Sequence, residues 1–504
     1  MVNFDIQVMH LKPDSQIQQA YSPDIFQEAS SAWQQMLEDH LRRVLTGQTD
    51  VLNWSDPHDA IREAESFLTA SKGVKDQPAL LKQFRDVVGH MLRRGQNLHH
   101  PHYIGHQVPA SVPLAGLFDS IGSVTNQVMA IYEMGPWSTA VEHALVRALC
   151  SKVGWDADTS TGLLTHGGSL ANLTALLTAR NVMIPDSWEN GLPENAVLIA
   201  HADAHYCVTR SAGILGLGTR QVVRARLDTH RRMCPEALNE SLTELRRAGR
   251  PIVAVSACAC ATPVGAFDSL RDIADVCRRH EVWLHVDAAH GGGLLFSRRR
   301  RSQLDGLELA DSLVWDAHKM LFVPALCAAV LYRNKEHRFE TFRQEAPYLF
   351  DPSEPGMAEI DSGMRTVECT KRATGFGLWG LWSLFGEEIF EQMVDHVCDL
   401  GMQLYNILND APDFEPMHVP ECNIVVFRHV PQRLQGSPAD AVDRFQRRLR
   451  LDLIRSGTFY IVQTQLENRA ALRVAVMNPI TTDEDLHELI AELRRRGEQL
   501  LNAE

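Results

Sequence analysis

The chain has 504 residues, 45% of them apolar and 22% charged, and a net charge of −14. That is ample material for a large core and for two or three packed units, and the negative balance argues against nucleic acid or an anionic membrane as a partner. No run approaches about 18 uninterrupted apolar residues, so no membrane span is expected. Residues 1–14 carry neither the basic nor the apolar segment of a secretory leader, and the ten cysteines have no framework spacing. Reduced thiols in the cytoplasm are the expectation.

Helical periodicity covers 26–45, 57–70 (with a cap near Ser55 or Asp56) and 79–94. None of these stretches carries chemistry. Residues 91–385 then alternate strands and helices, the pattern of a mostly parallel sheet. Strands are predicted at 197–200, 221–225, 252–256, 282–287, 312–315 and 327–332, and helices at 169–180, 206–215, 235–248 and 268–279. The arginine run 298–301 reads as a solvated loop. A long amphipathic stretch, 375–408, leads to a smaller α+β unit with strands near 423–427, 459–463 and 472–476 and a closing helix from Thr482. The expected division is 1–90, a helical arm; 91–385, a large α/β domain; and 386–504, a small α+β domain.

Three pieces of this pattern carry chemistry. Lys319 lies in DSLVWDAHKML, 311–321, between two apolar runs. An isolated buried ammonium is costly, whereas a desolvated lysine with a lowered pKa can form a Schiff base with an aldehyde. Asp287 falls at the C-terminal end of the predicted strand in VWLHVDAAHGGG, 282–293, where ligands of open α/β sheets collect. Gly167, Gly168 and Ser169 open a predicted helix in LLTHGGSLANLTALL, 163–177, and a bare helix N-terminus holds anions. A Schiff-base lysine, an acid for the pyridinium nitrogen and a phosphate cradle are what pyridoxal 5'-phosphate asks of a protein.

Seven segments in order extend this: THGGSLANLTALLTAR (165–180), HADAHYCVTRSAGILGLG (201–218), CATPVGAFDSL (260–270), HVDAAHGG (285–292), DAHKML (316–321), APYLF (346–350) and LRVAVMNP (472–479). On these the chain resembles the group II pyridoxal-phosphate-dependent amino acid decarboxylases, the family of glutamate, cysteine sulfinate, aromatic amino acid and diaminobutyrate decarboxylases. The resemblance implies a fold type I α/β enzyme and a homodimer, with the helical arm packed on the partner subunit. It also implies decarboxylation of an L-amino acid to its amine. An aldehyde-forming oxidative member, another fold type I lyase or aminotransferase, and a cofactor-binding regulator without catalysis are the alternatives.

Ala289, two residues after Asp287, is expected on the same face, where a small side chain lets a cofactor ring lie against the backbone, and the resemblance places His205 on the pyridine ring and His318 near the phosphate. Asp316 takes a position the family fills with Asp or Asn. Thr262 matches a threonine near the cofactor, although Cys260 and Ala261 stand where Gly-Thr is usual. Tyr348, on a Pro-, Gly- and acid-rich segment at 345–361, matches the lid tyrosine that returns a proton to Cα. Arg473 matches the arginine that glutamate decarboxylases use for the α-carboxylate. Glutamate-type enzymes place Asn-Gln in the substrate segment; here Gly105 and His106 stand at that position, with Gln107 next, which argues against an acidic substrate. The segment 126–136 does resemble the glutamate type, so the two clues disagree. His99, His100, His102 and His106 lack firm ligand spacing, and no metal is expected.

Overall fold

The structure, a computed structural model, describes residues 16–69, 76–342 and 360–503. Internal contacts divide the chain into two compact units, Met1–Ile104 with Arg448–Ile461 and Ile480–Glu504, and Gly105–Arg447 with Val462–Pro479.

In the first unit, α1 (Pro23–Leu45) packs on α3 (Gln77–Arg94), with α2 (Pro57–Thr69) between them in sequence. Both α1 and α3 start earlier than their periodicity suggests. Pro23 and Pro78 sit in the first turn, where a missing N–H costs nothing, and Ser22 and Asp76 cap the N–H groups of Ile25 and Ala79. Asp56 caps the start of α2 by accepting from His58 N. His102, from the histidine-rich segment, is a clasp within this unit. Its ring stacks on Phe459 at 3.8 Å and meets the Thr458 carbonyl at 3.0 Å and Asp485 at 3.1 Å.

The second unit is built on a seven-stranded sheet: β1 (Thr161–Thr165), β2 (Val197–His201), β3 (Val222–Ala225), β4 (Ile252–Cys258), β5 (Leu284–Asp287), β6 (Ser312–Asp316) and β7 (Ala328–Tyr332). Their order is β1-β7-β6-β5-β4-β2-β3. Only β7 runs against the rest, so the sheet is mixed but mostly parallel, as expected. The central strands are buried along their whole length, which explains their near-continuous Val, Ile, Leu and Ala. β1 escaped the sequence reading because its five residues run straight into the glycine turn.

Around the sheet lie α4 (Pro113–Val124), α5 (Pro136–Val153), α6 (Gly168–Met183), α7 (Tyr206–Ile214), α8 (Pro235–Arg247) and α9 (Leu270–Arg279). The amphipathic stretch after 375 is two helices, α10 (Phe376–Phe385) and α11 (Glu388–Asn409), broken at Gly386, whose φ of +68° ends the first. A four-stranded antiparallel sheet completes the unit, with β8 (Phe414–Pro416), β9 (Ile424–His429), β10 (Val462–Leu466) and β11 (Arg469–Ala475) in the order β8-β9-β11-β10. The β10–β11 hairpin turns on Glu467 and Asn468, both with positive φ, and this fixes β10 three residues later than its apolar content suggested.

The arginine run is not simply solvated. Arg298 pairs with Glu391, Arg299 with Asp395 and Asp399, and Arg300 with Asp399, all on α11. The three acids recur at i+4 along one face of that helix, a match that local charge counting does not reveal.

Candidate active site

The C-terminal ends of β5 and β6 and the N-terminus of α6 open onto one cavity of about 380 Å³. Gly168, Ser169, His205, Thr262, Asp287, Ala289, Asp316, His318 and Lys319 all line it, as does Gln107. Alternation along the strand points His285 and Asp287 to one side, and Asp287, the last residue of β5, presents its carboxylate there. Ala289 N donates to Asp287 Oδ1 at 3.2 Å and holds that carboxylate in place.

Lys319 follows β6 in the short connection to β7. Its Nζ lies 3.2 Å from Asp316 Oδ2, and His318 Nε2 lies 3.8 Å from the same oxygen. Burial by itself lowers an ammonium pKa, but the Asp316 and Asp287 carboxylates outweigh it and hold Lys319 above the usual lysine range. The expectation of a lysine whose pKa is lowered by desolvation is therefore corrected: in the protein by itself Lys319 is a charged, paired ammonium. His205 caps α7 by accepting from Cys207 N. Burial lowers its pKa, Lys319 adds to the effect and Asp287 opposes it, so its imidazole is neutral at neutral pH.

The start of α6 has the form of an anion cradle. Gly167 has a φ of +100°, open only to glycine at low cost, and the N–H groups of Gly168 and Ser169 have no acceptor among the described residues. A Cβ on Gly168 would come within 2.6 Å of Asp316 Oδ2, so only a bare backbone fits between the helix and that carboxylate. These residues fit pyridoxal phosphate: a donor-rich helix end for its phosphate, Lys319 for its aldehyde carbon and Asp287 for its ring nitrogen.

Behind the cradle runs a buried chain that sequence reasoning missed. Trp283 Nε1 donates to Ser312 Oγ at 2.9 Å, Ser312 Oγ meets His285 Nδ1 at 2.9 Å, and His285 Nε2 meets Asn172 Oδ1 at 2.9 Å. Asn172 Nδ2 then donates to the Gly168 carbonyl at 2.9 Å. Asn172 Oδ1 can only accept, so His285 Nε2 carries the imidazole hydrogen and Nδ1 accepts the proton of Ser312 Oγ. Burial lowers the His285 pKa to about 4, which keeps it neutral. A polar residue within an apolar strand pattern was the available signal. His166 and Glu368, paired at 2.5 Å with His166 at the cavity wall, also lay outside the reading, as did the buried Lys371. Its Nζ meets both Glu142 oxygens at 2.7 Å and the Leu164 carbonyl at 2.6 Å, pinning β1.

Behind the Gln107 and Thr262 wall, Arg473 of β11, which does not itself line the cavity, donates to the Thr262 carbonyl at 2.8 Å, the Pro263 carbonyl at 3.1 Å and Gln107 Oε1 at 3.1 Å. Burial lowers its pKa to about 10, which leaves it charged. The fold thus brings Gln107 and Arg473 together. His106 is exposed and is not part of the cavity wall. Tyr348 and most of the 345–361 segment lie outside the described residues.

Sheet, cradle and lysine define a fold type I pyridoxal-phosphate site. A family profile, the pyridoxal-dependent decarboxylase conserved domain, matches residues 57–430, and the chain belongs to that family. The structure resembles that of mouse CSAD (28% identity, TM-score 0.86, covering 94% of this chain and 99% of that one). It also resembles the glutamate decarboxylase domain of diaminobutyrate-pyruvate transaminase and L-2,4-diaminobutyrate decarboxylase from Vibrio parahaemolyticus (22%, TM-score 0.81, 96% and 97%). Oryza sativa TDC with PLP and tryptamine shares the fold as well (20%, TM-score 0.86, 97% and 100%). The chain is a pyridoxal-phosphate-dependent carboxy-lyase acting on an amino acid. No helix among the described residues is long and apolar enough to cross a membrane.

Proposed function

We propose that this enzyme converts an L-amino acid to its amine and CO₂, with Lys319, Asp287, His205 and Tyr348 as its catalytic residues. The observation that carries the reading is the placement of Lys319 beside Asp316, in one cavity with Asp287 and the bare N-terminus of α6. Bound pyridoxal phosphate supplies the sink for the electron pair released when the Cα–CO₂⁻ bond breaks. Asp287 keeps the ring nitrogen protonated through its opposite charge, and His205 supports the ring face. Lys319 would hold the cofactor's aldehyde carbon and Gly168, Ser169 and His318 its phosphate end, while Asp316 pairs with the lysine and Thr262 and Ala289 shape the walls. Arg473 and Gln107 hold the substrate, Arg473 at its carboxylate. His106, exposed in the single chain, belongs to the same substrate segment. Tyr348 delivers the proton to Cα.

The division into 1–90, 91–385 and 386–504 belongs to this proposal, as does a cytoplasmic homodimer. The dimer reading draws on a stripe of exposed Leu114, Leu117, Ile121 and Val124 along α4. The location draws on ten cysteines that are all free. Incubating the holoenzyme with a panel of amino acids and measuring CO₂, amine, aldehyde and ammonia tests the reaction. Equal CO₂ and amine are expected, and aldehyde with ammonia would instead establish the oxidative alternative. Tyr348→Phe is expected to lower amine formation by about 10²-fold and to divert turnover toward aldehyde and peroxide in air. Amine at the parental rate without peroxide would move the proton donor elsewhere, with His205 next in line.

A further inference from the structure

We propose that Cys260, His290 and Cys422 form a binding site for a borderline-soft divalent transition metal ion, with Zn²⁺ the best fit. Their donor atoms all lie within 4.8 Å of one another, and the three residues are 7%, 3% and 2% exposed. The two Sγ atoms are 3.9 Å apart. Tetrahedral zinc with Zn–S bonds of about 2.3 Å sets two thiolates about 3.8 Å apart, so the pair needs little adjustment.

The imidazole is prepared in the manner of a metal ligand. Asn423 Nδ2 donates to the Val476 carbonyl at 2.8 Å, which leaves Asn423 Oδ1 as an acceptor. His290 Nε2 lies 2.8 Å from that oxygen and so carries the ring hydrogen. Nδ1 is then a bare lone pair, buried without a hydrogen-bond partner. A histidine whose second nitrogen donates to an amide oxygen while the first is free is the usual outer support of a zinc ligand. The Gly265 backbone packs closely against Cys422 Sγ, which leaves no room for a side chain there: a Cβ would stand 2.5 Å from the sulfur.

Charge and access agree. Two thiolates and a neutral imidazole balance a divalent ion, and binding releases the two thiol protons. Cys260 and His290 line the cavity that also holds Lys319, which gives an ion a path in and leaves a fourth position for water. Among the described residues the other three-donor group, His102, Asp485 and Glu488, is oxygen-rich and more exposed. Thiolate ligands favour zinc over the hard cations such a group would take.

The test uses the reduced holoenzyme, stripped with a chelator and titrated with Co²⁺ and then Zn²⁺. One equivalent of Co²⁺ per chain is expected to give intense tetrahedral d–d bands in the red, clear of the cofactor's absorbance, and Zn²⁺ is expected to displace it. Cys260→Ser, Cys422→Ser and His290→Gln should each weaken binding by more than about 100-fold, the upper range for losing even an outer partner. Cys234→Ser and Cys369→Ser should bind as the parent does. A pale six-coordinate spectrum, binding unchanged in the three variants, or a Cys260–Cys422 disulfide under these conditions would overturn the proposal. If the variants do not fold, Zn²⁺-soaked crystals of the unaltered holoenzyme decide it. An anomalous peak among the three side chains supports the site, and peaks only elsewhere refute it.

Discussion

The two ends of the cavity are built in different ways. The cofactor end is assembled from the ends of two strands paired in one sheet and from one helix start, with Asp287 and Lys319 leaving neighbouring strands. The substrate end joins Gln107 of an irregular segment, the Thr262 loop and Arg473 of the smaller sheet, through hydrogen bonds that span more than two hundred residues. At the first end position follows from secondary structure; at the second it follows from long-range packing.

The comparison is tested most severely at the lysine. Lys319→Ala is expected to lower turnover by at least about 10³-fold, and borohydride reduction of the parent should tag Lys319 in peptide maps. A tag on another lysine would dissolve the cofactor end as described. Asp287→Asn should retain bound cofactor, seen by its absorbance, and lose about 10²- to 10³-fold in kcat, because a neutral amide cannot stabilise a charged ring nitrogen. Normal kcat with cofactor bound would remove Asp287 from its role.

The support of the cradle is tested through pH. The folded His285 pKa is lowered to about 4, against an ordinary 6.5, so the unfolded state binds the extra proton. Its stabilising effect is complete above pH 6.5 and is lost as pH falls toward 4, by up to roughly 3 kcal/mol. His285→Gln should flatten denaturant-measured stability across that window, and an unchanged slope would locate acid sensitivity elsewhere. The smallest effect is expected at the substrate end. Arg473→Lys keeps the charge but loses the fork, so KM should rise about tenfold with kcat less affected. A fall in kcat with KM unchanged would move Arg473 toward the cofactor end.

The same contrast decides what the sequence could reveal. Asp287, Lys319 and the Gly167–Gly168 turn are legible because each is tied to a local pattern, a strand end or a helix start. β1 was missed because five residues leading into a glycine turn carry too little periodicity to stand out. His285 stands out as a polar residue in an apolar strand, but its partners Asn172 and Ser312 do not follow from the sequence because they sit on different elements. The pairing of Arg298, Arg299 and Arg300 with α11 needs the helix to be placed first. Cys260 and Cys422 are 162 positions apart, a separation at which spacing rules for metal ligands have nothing to say.

The reversed strand β7 makes a hairpin of the segment that carries Lys319. Five cross-strand pairs, from Ser312 with Tyr332 to Asp316 with Ala328, clamp both ends of the connection that carries Lys319. His318 Nδ1 adds a tie at 2.8 Å to the Cys327 carbonyl, just ahead of β7. An inserted residue there would shift Lys319 relative to Asp316, whose Oδ2 lies 3.2 Å from its Nζ. The lysine connection is therefore held at both ends by one hairpin, whereas Gln107 and Thr262 sit on segments that belong to no strand or helix.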